Sequence, residues 1–175
     1  MAAVNKLCDK WGAGFNYMIY LFKDKFEFKG SWNLSVEVVF YGKKQSLNII
    51  VDGEDDIHDF EDEQKTVLNY LKKNLNHVLL TVESKIFQNY ILNYKSIDSS
   101  LAKNKKRVGA PYLFSKFTIS ELVVLKSIII PYCFDPEEIE FGIALDCSWD
   151  PSHGIGVLFQ NFEYLKIGSF DIISG

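Results

Sequence analysis

The segment Trp149-Asp150-Pro151-Ser152-His153-Gly154-Ile155-Gly156-Val157 places an acid, a hydroxyl and an imidazole within four residues. Nucleophile, base and orienting acid are the parts of an acyl-transfer relay, so hydrolysis using Asp150 and His153 is the first chemistry to weigh. The spacing argues against it. Residues this close on one turn do not readily line up as a relay, and the glycines are not followed by the helix that a phosphate-cradling loop requires. A tight β-connection accounts for the same residues: Asp150 caps its own turn, Pro151 fixes φ, and Gly154 and Gly156 adopt backbone conformations that other residues resist. Trp149, Asp150, His153, Gly154 and Gly156 are therefore expected to be a structural turn motif, with no catalytic residue among them.

A second cluster is electrostatic. Asp52, Glu54, Asp55, Asp56, Asp59, Glu61, Asp62 and Glu63 crowd into twelve positions without a Lys or Arg, while net charge over the chain is −4. The remainder is thus +4, part of it in Lys103, Lys105, Lys106 and Arg107. Such a run either solvates a face or meets a basic surface, and these eight acids are the candidate partner-binding patch. His58 lies among them and His77 stands alone, but neither zinc-type pairs nor a calcium-loop pattern is present, so no metal and no cofactor is expected. Cys8, Cys133 and Cys147 are odd in number and lack paired spacing, which suits reduced thiols in a cytoplasm. The overall negative charge disfavours nucleic acid as a partner. No secretory leader is visible, and apolar runs such as Ile128-Ile129-Ile130 are too short to span a membrane.

The elements that must position these residues follow from hydrophobic period. The 175-residue length suits one α+β domain, residues 1–175. Alternation suggests strands at 15–22 and 25–32, with Trp11, Phe15, Tyr17, Tyr20 and Phe22 more suited to a core than to a binding surface. Val36–Phe40, Gly42-Lys43 and Leu47–Val51 read as a hairpin. From Asp59, a plausible N-cap, the period becomes helical through Val67, Leu68 and Leu71. Asn74 is expected to break it, and Leu75, Val78, Leu79, Val82, Ile86 and Tyr90 then form a second helix. Residues 96–112 are polar, basic and Gly/Pro-containing, and read as a mobile loop. Strands follow at 117–126, 127–131, 140–149, 156–160 and 164–167. The expected fold is α+β: antiparallel sheet with a central two-helix hairpin packed on one face.

Residues 145–157, Leu-Asp-Cys-Ser-Trp-Asp-Pro-Ser-His-Gly-Ile-Gly-Val, resemble a widespread bacterial family of domains ending in a "WDxEHGxGV" segment, a short strand and a "VG" turn, here Lys166-Ile167-Gly168. The middle of the chain is also similar, with its hairpin, Gln64, Leu68-Asn69-Tyr70-Leu71 and Asn74. Ser152 stands where the family motif has an acid. The resemblance implies no enzymatic activity. It implies kinship with immunity proteins encoded beside secreted or contact-dependent toxins. The expected function is therefore a cytoplasmic immunity protein, a toxin inhibitor acting by protein–protein interaction in contact-dependent growth inhibition. Its partner would be the C-terminal domain of a cognate toxin, with a nuclease favoured because nucleases carry basic clefts. The alternative is a small-molecule or carbohydrate-binding accessory domain.

Overall fold

Alternating apolar residues from Trp32 to Val51 build the first half of the sheet, and the computed structural model describes residues 26–54, 59–93, 96–97 and 119–173. Strand β1 is Glu27–Phe28, β2 is Trp32–Phe40 and β3 is Lys43–Val51. The β2–β3 hairpin turns on Tyr41-Gly42, both with positive φ (47° and 74°), the two-residue geometry whose twist matches the flanking strands. Leu47, Ile49 and Val51 point to one side and are fully buried, while Asn48 and Ile50 point to the other.

A single helix, α1, runs from Asp62 to Leu92, 31 residues and about 46 Å at the usual rise. This corrects the expected two-helix hairpin: Asn74 lies inside α1 and breaks nothing. Its Nδ2 donates to the Tyr70 carbonyl one turn back at 3.0 Å, and the buried stripe Leu71, Leu75, Val78, Leu79, Val82 passes it without losing phase. An interior asparagine costs only roughly 0.7 kcal/mol against alanine, far less than that stripe returns by burial. The N-cap is Glu61, not Asp59. Glu61 and Gln64 form a reciprocal capping box, with Glu61 N donating to Gln64 Oε1 at 3.2 Å.

Four further strands complete the sheet: β4 (Val123–Ile130), β5 (Glu140–Cys147), β6 (Ile155–Gln160) and β7 (Glu163–Gly168). The order is β1 to β7 in sequence, all neighbours antiparallel except β3 and β4, which are parallel and joined across α1. The chain is thus mostly sheet, with one α-helix among the described residues. The expected strands at 117–126 and 127–131 are the single strand β4, which begins only at Val123, residues 119–122 forming a turn before it. Apolar alternation shifts from Val123 and Leu125 to Ile128 and Ile130, and a bulge at Lys126 absorbs the extra residue.

The helix covers one face, over Phe40, Ile128, Phe141, Ile143 and Val157, all fully buried or within 1% of it. The other face is partly covered by a short 3-10 turn, Phe170–Ile173, which packs with Ala144 and Leu158. Near the hairpin end, the buried α1 residue Glu83 accepts the Tyr41 backbone N–H, and the Tyr41 hydroxyl donates to the Glu83 carbonyl at 2.8 Å. The expected strand at 15–22 and its aromatics, Cys8, and all but two residues of the 96–112 loop lie outside the described residues.

Candidate functional site

The turn between β5 and β6 holds the residues that resembled a relay. Asp150 Oδ1 accepts from the His153 backbone N–H at 3.3 Å and from His153 Nδ1 at 2.9 Å. The Asp150 carbonyl accepts from Gly154 N at 2.9 Å and from Cys147 Sγ at 3.5 Å. The His153 carbonyl in turn accepts from Phe170 N at 3.0 Å, tying the C-terminal turn down. Gly154 has φ +61°, and a Cβ there would meet the Leu145 carbonyl at 2.6 Å; at Gly156 a Cβ would meet the Ser169 carbonyl at 2.7 Å. Trp149 packs toward Tyr90 of α1, ring centres 5.9 Å apart. Each group of the motif is spent on holding turn, helix and C-terminus together. Ser152 is exposed on the same turn and makes no bond to His153. The Asp150 carboxylate raises the His153 pKa above its ordinary value by hydrogen bond and charge, and burial pushes the Cys147 thiol up to about 11, which leaves it inert as a nucleophile near neutrality.

At the opposite end of β5 the acidic run is divided. Asp59 Oδ1 accepts the Phe60 N–H at 2.9 Å, and Lys65 bridges Asp59 and Asp62 at 2.9 and 3.1 Å. Glu61 is occupied by the capping box and by Cys133 N, 3.2 Å from its Oε2. These three carboxylates therefore organise the entrance of α1. Asp52, Glu54 and Glu63 have no side-chain partner among the described residues, and desolvation raises the pKa of half-buried Asp52. Asp55, Asp56 and His58 lie outside the described residues.

The β4–β5 loop, Pro131–Ile139, joins this pole. Parallel pairing of β3 with β4 brings their C-terminal ends side by side, and Asp52 N donates to the Ile130 carbonyl at 3.0 Å. Gln64, 2% exposed, fastens three pieces together: its Nε2 donates to the Asp52 carbonyl at 2.9 Å and to the Pro131 carbonyl at 3.2 Å. Asn161, in the β6–β7 turn, pins the far side of the loop. It donates from Nδ2 to the Glu137 carbonyl at 2.9 Å and accepts from Ile139 N at 3.1 Å. From this pinned loop Phe134 projects into solvent, 97% exposed.

Two clefts flank the loop and share Pro131, Tyr132, Phe134 and Glu140. One, about 220 Å³, lies against the start of α1; the other, about 470 Å³, lies on the second face of the sheet beside the C-terminal turn. Among the described residues, every charged side chain lining either is a carboxylate: Asp52, Glu63, Asp135, Glu138 and Glu140. A third hollow, by His153, is of mixed sign, with Lys126 facing Asp146 and Asp171. Sequence reasoning found Asp52 and Glu63 and missed Phe134, Asp135, Glu138 and Glu140. The signal was present in Phe134-Asp135-Pro136-Glu137-Glu138, a second acidic run with an aromatic at its head and a proline marking a loop.

No group of three or more His, Cys, Asp and Glu side chains among the described residues is placed to hold a metal ion, and no described helix is long and apolar enough to cross a membrane. Residues 22–174 match the model of a family described as a domain of unknown function, DUF6985, and the chain belongs to that family. No curated protein and no solved structure matches it.

Proposed function

We propose that this member of the DUF6985 family is a non-catalytic binding protein: a cytoplasmic immunity protein that neutralises a toxin domain by covering a basic surface on it, with a nuclease as the favoured target. One observation carries the reading. Among the described residues, the pole formed by the α1 entrance and the Pro131–Ile139 loop presents five lining carboxylates, no lining cation and a fully solvent-facing phenyl ring held by a hydrogen-bonded loop. Carboxylates arrayed this way offer a phosphate-binding cleft the charge it is built to receive. An exposed aromatic on a fixed loop is the type of anchor that dominates interface energies. The 470 Å³ cleft gives the small-ligand alternative its only specific support.

The test is co-purification of the tagged chain with the product of the neighbouring upstream gene, followed by the same capture with Phe134→Ala and with Glu63→Gln/Asp135→Asn/Glu138→Gln. A stable complex with a toxin domain, weakened by both variants, is the expected result. Capture that ignores both variants removes the acid pole from the interface, and absence of any complex removes the immunity reading.

A further inference from the structure

The larger cleft has a composition that a charged surface alone does not need. Its floor is a cross-strand row on the second face: Ile50 of β3 pairs with Ile129 of β4, Ile129 with Gly142 of β5, and Gly142 with Leu158 of β6. One wall is the C-terminal turn, with Ile173 seated so closely over Gly142 that a Cβ there would meet it at 2.5 Å. The other wall is Tyr132 and Phe134 from the β4–β5 loop. Among the described residues, the only charged side chains lining it are Asp52 and Glu140. Gln160 Nε2 donates to one Glu140 oxygen at 3.1 Å, and Asp52 has no side-chain partner among the described residues. An apolar trough ending in two carboxylates is complementary to a chain of methylenes carrying a terminal cation. Lysine and arginine bury their stems against apolar surface in this way while their heads reach polar groups. A carboxylate that is half removed from water and unpaired gains more from such a cation than a fully solvated one would.

We infer that this cleft is a socket for a single arginine or lysine side chain of the partner, its aliphatic stem on Ile50 and Ile129 beside Ile173 and its cation at Asp52 and Glu140. The inference rests on the immunity reading for the identity of the partner, but the socket is chemically specified without it. Arginine is the stronger candidate, since its planar fork can engage two acceptors at once.

A probe free of any toxin separates the two. The ¹⁵N-labelled full chain is titrated with n-butylguanidinium, n-butylammonium and n-pentanol, following the backbone amides of Ile50, Ile129, Gly142, Leu158 and Ile173. The expected result is saturable shifts confined to those amides, strongest for the guanidinium. Asp52→Asn and, separately, Glu140→Gln should each weaken that probe at least about fivefold while leaving pentanol unaffected, as loss of a charge partner requires. Both variants keep hydrogen-bonding atoms in place, so an unchanged spectrum elsewhere certifies the fold. Shifts that do not saturate, or saturate equally with pentanol and ignore both variants, overturn the socket and leave an apolar hollow. Guanidinium binding with a toxin complex that tolerates Asp52→Asn keeps the socket and sinks its assignment to the toxin. A toxin complex with no probe binding does the reverse.

Discussion

Strand β5 runs between two loops of opposite character. At its C-terminal end, Asp150, His153 and Gly154 spend their polar groups on one another although the turn is exposed, so that one carboxylate and one carbonyl satisfy four donors. At its N-terminal end, the Pro131–Ile139 loop is equally well bonded through its backbone, yet it faces a phenyl ring and several carboxylates outward. The first loop carries the residue types that sequence reasoning associates with catalysis. The second has carboxylates but no imidazole or serine among them, and it is the one with side chains left over for another molecule. Chemical residue types in close spacing announce a turn as readily as a site; what separates the two is whether the groups are already engaged.

The largest effect expected from breaking this contrast is on the side of the first loop. Gly156→Val would drive its side chain into the Ser169 carbonyl, 2.7 Å from the first added carbon, and against Ile172. Overpacking against backbone should destabilise by about 3 kcal/mol, read from urea unfolding; a shift under about 0.5 kcal/mol would mean that the C-terminal turn is not held there. On the outward side, Phe134→Ala should leave unfolding within about 0.5 kcal/mol of the parent and weaken binding of the proposed toxin partner by about 2 kcal/mol, measured by calorimetry. The reverse pattern would make Phe134 a packing residue and erase the distinction.

Charge is the next lever. Glu63→Gln/Asp135→Asn/Glu138→Gln should slow association with the proposed toxin partner at least about tenfold at low salt and flatten its salt dependence. The same number of changes at Asp59, Glu61 and Asp62 should lower stability and slow association less, because those carboxylates are engaged by Lys65, the capping box and Cys133 N. In the first triple, among the described residues, only the Asp135 carboxylate holds a bond, from Glu137 N at 2.9 Å. Equal rates for the two triples would mean that only total charge matters. The smallest effect concerns His153. Its pKa is raised in the folded chain, so the stabilisation from its pairing with Asp150 is full below the unfolded value of about 6.5 and fades as pH rises through the folded one. The melting temperature lost in His153→Ala should thus be greater at pH 5.5 than at pH 8.5. An equal loss at both would mean that the charge on the imidazole adds nothing to its bond with Asp150.

The β2–β3 hairpin was legible because alternation and a glycine turn are local signals, and the stripe of α1 was legible for the same reason. Asn74 misled because propensity is a weak local preference that tertiary burial overrides on both sides of it. Lys126 misled because a bulge mimics a strand boundary when only the phase of alternation is read. The acidic run was visible as charge, but its division into engaged and unengaged carboxylates depends on Lys65, Gln64 and Cys133 N. Asp135, Glu138 and Glu140 join the pole only through the parallel pairing of β3 with β4, a contact between residues nearly eighty positions apart, as in Ile50 with Ile129. No periodicity within a window reports such a neighbour.

That same parallel pairing has a kinetic consequence. The β2–β3 hairpin and the β4–β7 meander each close through nearest-neighbour antiparallel turns, whereas β3 finds β4 only after residues 52–122 have been looped back. Closing the longer loop is the slower search, and contacts of high sequence separation set folding speed. Both walls of the acid pole straddle this seam, with Gln64 as its clasp. A chain caught before the seam closes would hold two preformed halves and no acid pole, so the pole forms no earlier than this long-range closure.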